Sequence, residues 1–153
     1  MKQVSLTPEL KCSDYRESLN FYTEVLGFAV LYKREEEGFA MLDRQGARLM
    51  IDSLELCQRF VKFEMEKPYG RGINLQILTT DVDGLYADVN KKGWPIYLGM
   101  EEKWYRTNDT EVGNKQFLVQ DPDGYVLRFF EDLGERKINA KVRRSEVDKT
   151  KKT

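Results

Sequence analysis

The sequence predicts an α+β fold in which one strand-helix-strand-strand-strand unit, βαβββ, occurs twice. Three observations predict it. Asp14 and Asp81 each follow an alternating apolar segment and open a helix-like stretch; those stretches stop at Gly27 and Gly93; and each half carries a tight turn, Asp43-Arg44-Gln45-Gly46 and Asp121-Pro122-Asp123-Gly124. An internal repeat sets the order of elements before any local assignment is made. The 153 residues suit one domain, and a domain of that size buries roughly 70% of the surface its unfolded chain exposes.

In the first half, the Asp14 carboxylate can cap a helix N-terminus, and Glu17 completes a capping-box pattern. Leu19, Tyr22 or Thr23, and Leu26 share a helix face, and Gly27 supplies a left-handed stop. Runs 28–32, 39–42 and 49–51 are short, aromatic or aliphatic, and bounded by Gly, Asp or charge, which predicts strands. The second half repeats the plan with a strand at 73–78, a helix marked by Asp81, Leu85, Val89 and Gly93, and strands at 117–119 and 125–130. The modules span about 1–53 and 70–134, together one domain over 1–134. Between them, about 54–69, the spacing of Leu56, Phe60 and Phe63 before Pro68 predicts a linker helix. The charged stretch 101–111 reads as a covering loop.

The net charge of −1 conceals an asymmetry: 135–153 holds eight Lys or Arg against three acids, leaving about −6 on the body. This basic tail predicts a weak amphipathic helix through Ile138, Val142 and Val147, with disorder beyond Asp148. A terminal basic block without a basic stripe on the body disfavours a nucleic-acid partner. No apolar run reaches the roughly 18 residues of a membrane span, and Cys12 and Cys57 are isolated thiols that suit a reducing, cytoplasmic setting. Histidine is absent, so Ser-His and Cys-His catalysis are excluded. GxGxxG and GxxxxGK[ST] are absent too.

Pro8-Glu9-Leu10-Lys11-Cys12-Ser13-Asp14, Phe21-Tyr22-Thr23-Glu24-Val25-Leu26-Gly27-Phe28 and Asp121-Pro122-Asp123-Gly124-Tyr125 resemble the glyoxalase, bleomycin-resistance and extradiol-dioxygenase superfamily, the vicinal oxygen chelate fold. The resemblance covers about 3–133. It implies that each module curls a mixed sheet, that the sheets form a ligand cleft, and that two chains associate as a homodimer. It also implies four metal-ligand positions, which in this chain fall on Thr7, Asp52, Asn74 and Arg128. A guanidinium has no lone pair to give and repels a cation, so no metal and no cofactor are expected. An Asp52–Arg128 ion pair across the cleft floor is the expected replacement.

The cleft residues expected to meet a ligand are Phe39, Asp52, Trp104, Tyr105, Phe117 and Arg128, the aromatics supplying stacking surface. The chain is similar to the metal-free bleomycin-resistance proteins, which implies sequestration of a planar or cationic molecule such as a bleomycin-type drug, favoured by the acidic body. Val112 departs from the pattern, since drug-binding members carry Trp before the glycine at the Gly113 position. The competing expectation is a glyoxalase- or dioxygenase-like metalloenzyme with a non-histidine site.

Overall fold

The computed structural model describes residues 1–138, and the elements follow the repeated plan. Strand β1 (Glu9–Cys12) leads into helix α1 (Tyr15–Asn20), which continues as a π-helical turn over Phe21–Val25, and β2 (Ala29–Arg34), β3 (Phe39–Arg44) and β4 (Ala47–Ser53) follow. The second module repeats them as β5 (Asn74–Leu78), α2 (Val82–Lys91), β6 (Leu98–Thr107), β7 (Thr110–Gln120) and β8 (Val126–Lys137). Each module forms a four-stranded mixed sheet, ordered β1-β4-β3-β2 and β5-β8-β7-β6.

Both helices begin as the sequence dictates. The Asp14 carboxylate accepts the Glu17 N–H at 3.0 Å, and the Asp81 carboxylate accepts the Gly84 N–H at 2.9 Å, each satisfying an orphan donor of the first turn. Gly27 and Gly93 take φ of 74° and 73° at the two stops, where glycine alone bears no Cβ penalty. The π-helical turn brings both Phe21 and Tyr22 into the interior, 1% and 0% exposed.

The modules share one core. Leu10, Phe21, Leu42 and Ile51 of the first belong to the same buried cluster as Val82, Phe117, Leu127 and Phe129 of the second, and burial of each large side chain is worth about 1.5–3 kcal/mol. Phe21 meets Trp94 at 4.4 Å between ring centroids. Polar ties sit beside this core: Tyr22 donates to the Asp121 carboxylate at 2.8 Å, the Ser13 N–H donates to Asp123 at 3.0 Å, and Arg44 donates to the Thr79 hydroxyl at 2.9 Å. The Asp-Pro-Asp-Gly turn is thus a clasp between the modules.

Three expectations are corrected. The linker 54–69 forms turns and irregular chain, not a helix; Leu56, Phe60 and Phe63 stay 61–84% exposed, so no buried face rewards helix formation there. The charged stretch 101–111 is not a covering loop but the turn end of the β6–β7 hairpin, most of β6 and the start of β7; β6 is an edge strand, where charge is tolerated and blunts unwanted pairing. The basic tail does not start at 135, because β8 runs on to Lys137, paired with Thr110. The amphipathic helix and disorder expected farther along lie outside the described residues.

Candidate functional site

Parallel pairing of β5 with β8 sets Gln76 directly opposite Arg128. The guanidinium donates from Nη2 to Gln76 Oε1 at 2.5 Å and from Nη1 to the Tyr105 hydroxyl at 3.5 Å. Gln116 on β7 donates to the same hydroxyl at 2.8 Å and to Glu101 at 2.9 Å. Above these groups opens a pocket of about 440 Å³ lined by Gln76, Tyr105, Val112, Asn114, Arg128, Phe130 and Asp132, within the range usual for small-molecule sites. All seven belong to the second module.

The corresponding face of the first sheet is chemically different. Lys11 on β1 stands opposite Asp52 on β4, and its ammonium binds the Asp52 carboxylate and the Cys57 carbonyl, the latter at 2.7 Å. Both side chains are nearly buried. Burial alone would lower the Lys11 pKa, but the bond to Asp52 and its charge outweigh that and hold it above its ordinary value. Glu9 completes the cluster, its carboxyl raised by burial and then by Asp52. Phe39 is buried beneath the Arg34 guanidinium, 4.0 Å from the ring centroid, and beside Tyr32.

Of the six residues expected to meet a ligand, only Tyr105 and Arg128 line the pocket. Phe39 and Asp52 lie on the other sheet. Phe117 is 0% exposed and stacks on Phe129 inside the core. Trp104 lies against Gly113 and under the Arg136 guanidinium at 3.7 Å, because neighbours on a strand point to opposite faces and Tyr105 already takes the pocket side. The Asp52–Arg128 pair does not form: Asp52 is held by Lys11, and Arg128 by Gln76 and Tyr105. Sequence reasoning missed Gln76, Asn114, Phe130 and Asp132. Counting by twos from Arg128 gives Phe130 and Asp132, while Gln76 and Asn114 need the register.

Register also corrects one metal-ligand position. Leu10 and Ile77 each stand four residues before their capping aspartates, and their partners are Ile51 and Phe129. One step back, Arg128 corresponds to Met50 rather than to Asp52. The four equivalent positions therefore hold Thr7, Met50, Asn74 and Arg128, a set without a carboxylate or imidazole and with one fixed positive charge. Among the described residues, no three of Cys, Asp and Glu gather in a metal-binding group. The residues present do not fit a divalent cation.

Comparison with known proteins agrees with the fold. The model of the Glyoxalase/Bleomycin resistance protein/Dioxygenase superfamily matches residues 7–129, and the chain belongs to that superfamily. A superfamily member from Vibrio splendidus 12B01 is 37% identical over 81% of this chain and 95% of its own, with a TM-score of 0.37. The uncharacterized protein YraH of Bacillus subtilis (strain 168) is 24% identical over 81% of this chain and 94% of its own. TioX from Micromonospora sp. ML1 shares the fold at a TM-score of 0.64, with 21% identity over 86% of this chain and all of its own. Among the described residues, no helix is long and apolar enough to cross a membrane.

Proposed function

We propose that this protein is a metal-independent small-molecule-binding protein that sequesters a planar ligand in the pocket of the second sheet. The observation that carries the reading is the donor set: the positions where metalloenzymes of the superfamily hold their metal carry Thr7, Met50, Asn74 and Arg128. One of them, Arg128, instead lies in the pocket lining together with Tyr105 and Phe130, aromatic residues of the kind that offer flat apolar surface to an aromatic guest.

A homodimer belongs to this reading. Leu78 and Leu98 on the second sheet and Val30, Leu31 and Tyr32 on edge strand β2 are 38–56% exposed, apolar area that a second copy would cover. The free thiols Cys12 and Cys57 suit work in the cytoplasm. A bleomycin-type drug is one candidate guest, although Val112 lines the pocket where drug-binding members place a Trp ring.

Two measurements test the proposal. Elemental analysis of protein purified without chelators is expected to find far less than one metal ion per chain; stoichiometric nickel, zinc, manganese or iron would overturn metal independence. Calorimetric titration with bleomycin and simple planar aromatics is expected to give saturable binding at one site per chain, and its absence throughout would overturn the binding role.

A further inference from the structure

We infer that the pocket on the second sheet selects an anionic guest, a planar molecule carrying a carboxylate, and not the cationic guest that the acidic body and the family resemblance suggest. The inference rests on the binding role proposed above and names the chemistry of the same pocket. It follows from counting the hydrogen-bonding capacity that the pocket's own residues leave unused.

A guanidinium has five N–H donors. Two of them go to Gln76 and Tyr105, and Nε is buried without a partner. Arg128 forms no ion pair with any described residue. A phenol has one donor and two lone pairs. The Tyr105 oxygen already accepts from Gln116 at 2.8 Å and from Arg128 at 3.5 Å, so what Tyr105 retains for a guest is its O–H donor. Asn114, 7% exposed in the pocket lining, makes no side-chain hydrogen bond with another described residue and adds both an amide N–H₂ and a carbonyl acceptor.

The unused capacity around Arg128 and Tyr105 is therefore mostly donor capacity around a fixed positive charge. The acceptors left over are the buried Gln116 Oε1 and the Asn114 Oδ1. Of the acids nearby, Glu101 accepts from Gln116, and Asp132, four residues along β8 from Arg128, accepts the Gly134 N–H at 2.8 Å and keeps its charge and further lone pairs without pairing with Arg128. A carboxylate is the small group that meets a guanidinium fork with two parallel acceptors. Its aromatic body would lie along Phe130 and Val112. The net acidity of the body opposes anions at long range, but that field is screened within about 8 Å at physiological salt, whereas contact with the guanidinium is not.

The test uses three probes of one shape, naphthalene-2-carboxylate, naphthalene-2-carboxamide and 2-naphthylmethylammonium, titrated calorimetrically into the full chain and into Arg128→Gln, Arg128→Lys and Tyr105→Phe, with thermal unfolding as a check on folding. In the unaltered protein the carboxylate is expected to bind about tenfold or more tightly than the amide, the usual size of a charge-assisted bond, and the ammonium more weakly than either. Arg128→Gln should remove the preference, Arg128→Lys should retain part of it, and Tyr105→Phe should reduce it several-fold. Equal or tighter binding of the ammonium, or an unchanged preference in a folded Arg128→Gln, overturns the inference and leaves the binding role standing. Failure of all three probes to saturate the protein overturns the inference, and if bleomycin also fails to bind, the binding role falls with it.

Discussion

Replacing Asp121 with asparagine should stabilise the protein at neutral pH and leave it unchanged in acid. Asp121 lies at the centre of the clasp: one carboxylate oxygen accepts the Asp123 and Tyr125 N–H groups, both at 2.9 Å, and the other accepts the Tyr22 hydroxyl at 2.8 Å. Burial, opposed by these bonds, pushes its pKa from the usual 3.8 up to about 6. A carboxyl that holds its proton more tightly folded than unfolded stabilises the fold fully below about 3.8, and that stabilisation is lost as the pH rises through about 6. At ~1.36 kcal/mol per pKa unit, the gap corresponds to about 3 kcal/mol above pH 7. Asparagine copies the protonated acid, because its oxygen keeps both backbone bonds and its N–H₂ can donate to Tyr22. Urea unfolding of both proteins between pH 4 and 8 should show stabilities that coincide near pH 4 and separate to about 3 kcal/mol in favour of Asp121→Asn above pH 7. A separation that stays flat across this range, or a variant less stable at pH 8, would refute the reasoning.

The Lys11–Asp52 pair is nearly buried on both sides, so Asp52→Ala should cost about 3 kcal/mol by stranding an ammonium, while the double variant Lys11→Met/Asp52→Leu should recover most of that loss in chemical denaturation. Gly124 has φ of 101°, and a Cβ there would lie 2.5 Å from the Pro68 Cβ; at Gly27, with φ of 74°, a Cβ would meet nothing within 4 Å. Gly124→Ala should accordingly destabilise by more than 2 kcal/mol, and Gly27→Ala by about 1 kcal/mol, in the same assay.

Local chemistry wrote much of this fold into the sequence. Capping by Asp14 and Asp81 and termination at Gly27 and Gly93 depend on residues within one turn of each other, so the repeated βαβββ order was legible, as was the absence of any histidine. Strand β6 was not, because its charges say polar; only its place at the edge of the second sheet makes them acceptable. The linker misled in the opposite sense, since helical spacing of Leu56, Phe60 and Phe63 means nothing without a surface to bury them.

The sequence by itself determined that Arg128 is a fixed cation and that no imidazole could join it. Tertiary structure decided what that cation faces. Register sets Gln76 rather than an acid opposite it, and hands Asp52 to Lys11. Strand alternation turns Tyr105 toward the pocket and Trp104 away, and packing of the two modules takes Phe117 into the core. Pairing between strands far apart in the chain is set by the shared core and the turn lengths, not by any residue's local preference, which is why the makeup of the pocket emerged only with the fold.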